Sequence, residues 1–154
     1  MPENKITRRL PAEWTPQSAV QLTFPHAGTD WAEVLDTVLP CFIQIAVTIS
    51  RFEPVLIVCP QAEELRRRFP ARLPENIRFF ETPSNDTWAR DHGAITVFDN
   101  DQPVLLDFMF NGWGLKFPAD RDNRITRNLW EAGLLRGRHR YPGMVLEGGA
   151  IESD

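Results

Sequence analysis

The spacing of apolar and polar positions changes several times along the chain, and each change marks an element. Ala19-Val20-Gln21-Leu22-Thr23-Phe24 alternates well enough for a half-buried strand, which Pro25 ends. A helix is expected next. Asp30 is placed to cap it with Glu33 three residues on, and Val34, Val38, Cys41, Ile45 and Ile49 recur at spacings of three and four along one face. Pro40 is expected to kink that helix or split it in two. Pro54-Val-Leu-Ile-Val-Cys-Pro60 is a short, wholly apolar run between prolines, as in a strand covered on both faces, so Cys59 reads as core. Gln61 to Phe69 then gives a short charged helix, and Asn76 to Glu81 a second covered strand leading into the polar segment Thr82-Pro-Ser-Asn-Asp86.

The period then shortens. Ala94 to Phe98 and Val104 to Phe108, joined by the turn Asp99-Asn-Asp-Gln102, form a β-hairpin pattern. Phe110 to Pro118 reads as an aromatic, glycine-rich loop. Asp120 or Asp122 is expected to cap an arginine-rich helix with Ile125, Leu129 and Ala132 inward, and Gly133 to stop it. Met144 to Glu147 reads as a strand, and Gly148-Gly149 as a turn into a further strand, Ala150-Ile-Glu. The order strand, strand, helix, strand from Ala94 onward, with a related alternation over residues 19–81, implies α/β units set end to end. A terminal strand without a neighbour exposes hydrogen-bonding groups, so a partner or further downstream sequence is expected to cover it.

Composition narrows the class. The 154 residues suit one domain, and 42% hydrophobic with 25% charged residues describes a folded chain rather than a disordered one. The longest apolar-rich stretch, Val34 to Ile49, is broken by Asp36, Thr37, Pro40 and Gln44, so no bilayer span is expected. The N-terminal residues Met-Pro-Glu-Asn-Lys-Ile-Thr-Arg-Arg have no apolar core of a secretory signal, and the two cysteines lack CxxC spacing. A cytoplasmic location follows as the expectation. Fifteen of the seventeen basic residues are arginine, six of them between Arg121 and Arg140, but Ile125, Leu129 and Trp130 interrupt that run as a solvated helix with a buried stripe would. With a net charge of −4, nucleic acid is not the expected partner.

Three segments place special residues at strand ends or in glycine-rich bends: Asn85 to Gly93, Phe110 to Lys116, and Leu146 to Gly149. In the first, Trp88 and Asp91 share one short turn. Such a pair suits a flat cation, since a carboxylate takes a guanidinium through two parallel hydrogen bonds and a tryptophan face adds about 0.5–2 kcal/mol of cation–π attraction. The alternative is that Arg90 and Asp91 pair in salt bridges and Trp88 belongs to the core. Glu147 ends an apolar strand before two glycines, where the backbone can bend around a ligand. Two carboxylates in one pocket could act as general acid and base, and the alternative for Glu147 is a solvated hairpin end. His26, His92 and His139 lie too far apart for zinc spacing, so no metal is expected; His92 reads as a polar turn residue or a group behind the site. Gly112-Trp113-Gly114 is too short and too aromatic to cradle phosphate.

Taken together, Asn85-Asp86 with Trp88-Ala-Arg90-Asp91, then Asn111-Gly-Trp113-Gly-Leu-Lys116, then Leu146-Glu147-Gly-Gly-Ala-Ile-Glu152, in this order and spacing, resemble the agmatine deiminase and bacterial (Porphyromonas-type) peptidyl-arginine deiminase family. The opening Leu10-Pro-Ala-Glu-Trp14, with Phe24-Pro-His26 and Trp31, is similar to that family's N-terminus. The resemblance implies a pentein fold, an α/β propeller of ββαβ modules around a central site. Residues 1–154 would form the first modules of a single pentein domain, since family members are more than twice this length. It also implies metal-independent, cofactor-free hydrolysis of a small-molecule guanidinium substrate by a cysteine thiolate. Agmatine would give N-carbamoylputrescine and ammonia, a step toward putrescine and other polyamines; peptidyl-arginine is the alternative substrate. Carried over by motif, Asp91 would hold the guanidinium, Glu147 would pair with substrate and help orient a histidine, Trp88 would line the channel, and Trp113 would share that wall. The family's nucleophilic cysteine, histidine and second aspartate lie in its downstream part, and Cys41 and Cys59 match no nucleophile position. The 154 residues alone are therefore expected to be inactive, completed by a C-terminal part or in a homo-oligomer. A non-enzymatic reading is a split-gene module that binds guanidinium without turnover. His92 and Ala94 stand where agmatine deiminases more often show threonine and proline.

Overall fold

The computed structural model describes residues 7–153, so most of the N-terminal stretch expected to lack a leader, and Asp154, lie outside the described residues. Two sheets meet. One holds β2 (Val20–Thr23), β3 (Val55–Cys59) and β4 (Ile77–Glu81), all parallel, with β3 central; the other holds β1 (Arg8–Arg9), β5 (Ile95–Asp99), β6 (Gln102–Leu106) and β7 (Arg138–Arg140) in that spatial order. β5 and β6 are antiparallel and β6 and β7 parallel, with α5 (Asp122–Glu131) between them in the chain, which makes a ββαβ unit.

β3 is buried along its whole length because both faces are covered. Val55, Ile57 and Cys59 face α1 (Leu35–Ile49) and α2 (Ala62–Arg68), while Leu56 and Val58 meet Ile125 and Leu129 of α5. An Ile57→Ala change in such a two-sided core would cost about 2–5 kcal/mol. β4 is an edge strand, buried only in part, and not the fully covered strand expected. The hairpin turn falls at Asn100-Asp101, both with positive φ (49° and 65°), the geometry of a two-residue turn whose twist matches the strands.

The helices depart from expectation in instructive ways. Asp30 caps nothing: a 3₁₀ turn, Ala32–Val34, precedes α1, and Thr29 organises it by accepting from the Trp31 amide and donating its hydroxyl to the His26 carbonyl. Pro40 lies inside an unbroken α1. The stripe Val34, Cys41 and Ile45 is exposed, and the face on the sheet is Leu39, Phe42, Ile43, Ala46, Val47 and Ile49. α1 is thus apolar on both sides, and Ala32–Ile49 is long and apolar enough to span a bilayer, contrary to the expectation from its four interruptions. Neither Asp120 nor Asp122 caps α5, and Ala132 is exposed while Thr126 is buried. Gly133 does end α5, at φ 71°, in a Schellman motif: Leu134 N–H reaches the Leu129 carbonyl at 3.0 Å and Gly133 N–H the Trp130 carbonyl at 2.9 Å.

β1 and β7 were not expected, and one carboxylate joins them. Asp99 on β5 accepts from Arg8 Nε at 2.7 Å and Arg8 Nη2 at 3.0 Å, and from Arg138 Nη2 at 3.0 Å. The Arg8 hydrogen bond holds the Asp99 carboxyl below the usual range, against burial. Met144 to Glu147 forms no strand; it touches Met109 through a single parallel bridge at Val145. Gly148–Ala150 is a 3₁₀ turn, and the expected strand after it is extended backbone without a ladder, tied instead by Ser153 Oγ to the Pro11 carbonyl at 3.2 Å.

Candidate functional site

The parallel strands deliver their C-terminal ends to one edge, and the segment leaving β4 runs along it. Asn85 is fixed there by a reciprocal cap. Its side-chain oxygen accepts from the backbone N–H groups of Arg121 (2.8 Å) and Asp122 (3.1 Å) at the start of α5, while Asp122 Oδ1 accepts from the Asn85 N–H at 2.6 Å. The donors a helix N-terminus leaves unpaired are thus met from a distant segment. Asp122 is 2% exposed, and burial raises its carboxyl to about 6.

From Asn85 the chain enters α3 (Ala89–His92), a single turn. His92 points inward, 2% exposed, with Nε2 3.3 Å from Thr23 Oγ1 on β2, and burial lowers it to about 4. It is a buried anchor rather than a polar turn residue. Asp91, on the outer side of the same turn, accepts the Gly149 N–H through Oδ1 at 3.1 Å. Gly148 makes this approach possible, since a Cβ there would overlap the Arg90 carbonyl. Asp91 and the Glu147 turn, 56 residues apart, are therefore neighbours, and Asp91 Oδ2 is left without a partner among the described residues. Arg90 does not pair with Asp91. It bonds Glu13 Oε1 and the Ile151 carbonyl, both at 2.9 Å, fastening the chain's two ends beside the site.

Trp88, which precedes α3, is 46% exposed and not core. Its ring meets Trp113 edge to face at 5.6 Å, and Trp113 also meets Phe110 at 5.0 Å and Phe117 at 5.7 Å. The expected loop around Trp113 is a left-handed turn, α4 (Gly112–Leu115), with φ of 60°, 54°, 82° and 66° along it. Asn111 stabilises it by accepting the Gly114 N–H at 2.9 Å. Trp88, Trp113, Asp91 and the Glu147 turn thus gather around one short helix: an aromatic wall beside a half-free carboxylate. Two surface hollows lie along α1, lined by residues outside this segment.

Asn85 and Asp86 carry more of the site than their polar segment signalled; the clue was two short side chains able to bond backbone just before a turn. Neither cysteine reaches the site. Cys41 lies on the outer face of α1, and burial pushes the Cys59 thiol up to about 11. Among the described residues no group of three His, Cys, Asp or Glu side chains is placed to hold a metal ion.

Comparison with known proteins gives the same motifs a family. Residues 9–154 match the model of the Porphyromonas-type peptidyl-arginine deiminases. An agmatine deiminase from Pseudomonas aeruginosa is 36% identical over 153 residues, covering 95% of this chain and 41% of its own length. A variant of C. jejuni agmatine deiminase, solved with substrate bound, superposes with a TM-score of 0.86 at 31% identity, covering 96% of this chain and 43% of that one. A Porphyromonas gingivalis protein solved as a candidate arginine deiminase gives a TM-score of 0.86 at 48% identity, with 96% and 44% covered. The chain therefore spans about two fifths of the curated relatives it matches. The arrangement is part of the α/β pentein propeller that these neighbours carry. With its three motifs in register, its α3 site and its matching fold, this chain belongs to the Porphyromonas-type peptidyl-arginine deiminase family.

Proposed function

We propose that this protein is a guanidinium deiminase, with residues 1–154 contributing the first modules of a single pentein domain, and that agmatine is its substrate, hydrolysed to N-carbamoylputrescine and ammonia in the cytoplasm. One observation carries the reading: Asp91 is held by the Gly149 N–H through one oxygen and keeps the other without a partner among the described residues, on the turn that the half-exposed Trp88 leads into. A planar cation fixed at its nitrogens by a carboxylate leaves its central carbon open to a nucleophile from the other side. Glu147, carried by the turn that holds Asp91, supplies a second carboxylate to the same edge. The thiolate comes from sequence beyond these residues, because Cys41 faces away and Cys59 is buried with a raised pKa.

A second reading has its own support. The family description points to arginine within a peptide, and the 48% identical P. gingivalis neighbour is described as a candidate arginine deiminase. The complete protein should release ammonia from agmatine at a rate that falls at least about 100-fold in Asp91→Ala and in Glu147→Gln. Faster release from an arginyl peptide than from agmatine would replace the first reading by the second, and undiminished turnover in both variants would sink both.

A further inference from the structure

An indole that walls a cation site must be held, since a freely turning ring presents its face only part of the time. Asp86 holds this one. Its Oδ1 accepts the Thr87 backbone N–H at 2.9 Å and its Oδ2 accepts the Trp88 indole N–H at 3.0 Å. Thr87 is steadied in turn, its hydroxyl accepting the Trp31 indole N–H at 3.0 Å, and the Trp88 ring is braced by Trp113. No arginine or lysine among the described residues forms a salt bridge with Asp86. Its negative charge is therefore not cancelled by an ion pair and acts directly on the indole.

The chemistry of that contact goes beyond orientation. An anionic acceptor polarises the N–H bond and shifts electron density into the ring, and attraction between a cation and an aromatic face is set by that density. We propose that Asp86 is a positioning residue of the guanidinium site: its carboxylate fixes the Trp88 indole and, through the shared hydrogen bond, strengthens the hold of the ring face on a cation while adding nothing for a neutral ligand. The proposal rests on the guanidinium reading of the same site. It assigns Asp86 a part in telling the cationic substrate head from the neutral ureido head of the product, and so in letting product go.

Asp86→Asn leaves one oxygen for the two N–H groups that Asp86 accepts and removes the charge; Asp86→Ala removes the charge and both acceptors. In the complete protein, Asp86→Asn should raise KM for agmatine about three- to tenfold with kcat held within about twofold, the range a weakened cation–π contact implies. The inhibition constant of N-carbamoylputrescine, which has the same ammonium tail and a ureido head, should move less than about twofold. In a Trp88→Phe background Asp86→Asn should do nothing further, because the indole N–H that relays it is gone. Equal weakening of both ligands, or a full effect persisting without the indole, overturns the proposal, as does an Asp86→Asn variant that loses its urea midpoint. An enzyme that never acts on a guanidinium, or ignores Asp91→Ala, removes the functional reading and this proposal together. Turnover lost in Asp91→Ala with ligand preference unmoved in Asp86→Asn removes this proposal alone.

Discussion

Asp122 and His92 sit behind the site, and burial favours the uncharged form of each. Burial raises Asp122 from 3.8 to about 6, with the Asn85 amide pulling partly back. Its contribution to stability is therefore present below its unfolded value and is lost as pH rises through about 6. Burial lowers His92 from 6.5 to about 4, so its contribution is present above 6.5 and is lost as pH falls through about 4. Over nearly the same window the two oppose each other. Asp122→Asn, which keeps an oxygen for the Asn85 N–H, should leave the His92 arm unbalanced. Urea midpoints should then fall more steeply from pH 6.5 to 4 in the variant than in the parent. Parallel curves would show that Asp122 does not titrate in that range.

Among the elements, the turn Gly112–Leu115 carries the clearest strain. A left-handed helical residue with a Cβ costs roughly 1–2 kcal/mol, and both Trp113 and Leu115 are such residues. Trp113 is held there by three aromatic neighbours, whereas Leu115 is 84% exposed and has little packing to offset its backbone. Leu115→Gly should therefore raise stability by about 0.5–1 kcal/mol, read as a higher urea midpoint at unchanged slope. Gly112→Ala should lower it by about 1–3 kcal/mol, since a Cβ there runs into the Phe117 carbonyl. A turn of this hand cannot be read from periodicity, although the glycine spacing and Asn111 marked the place. The helix α1 shows the converse. The stripe Val34, Cys41 and Ile45 was legible, but in a helix apolar on both sides the pattern does not say which side meets the sheet. Covered strands such as β3 were legible because a run of apolar residues between prolines has few other uses. β7 was hidden by charge: Arg138 and Arg140 face out while His139 turns in to Asp107 at 2.8 Å. Trp88, Asp91 and Glu147 stood out as chemistry, but Asn85 did not, because its partners are 36 and 37 residues away.

At the scale of the molecule, that Asn85 contact fastens the segment leaving one sheet to the helix of the other, and the site lies on the seam. Asn85→Ala leaves the Arg121 and Asp122 amides at the start of α5 without their acceptor, while the Asn85 backbone N–H that the Asp122 carboxylate accepts is kept. The expected loss is about 1–2 kcal/mol of unfolding free energy by urea titration, with a rise in agmatine KM larger than the fall in kcat. A variant as stable as the parent would show that α5 does not need this cap.

The Asp99 clamp has a consequence in time. Arg8 leaves the ribosome 91 residues before the carboxylate it binds, and the second arginine of the clamp follows 39 residues after that. At roughly 5–20 residues per second, the N-terminal strand waits several seconds for its partner. The Pro11 carbonyl waits longer for Ser153, 142 residues on. Arg8 and Pro11 thus dock only after these later partners have been made. An N-terminal fusion that delays them should slow the final folding phase and leave the two cores to form at their ordinary rate.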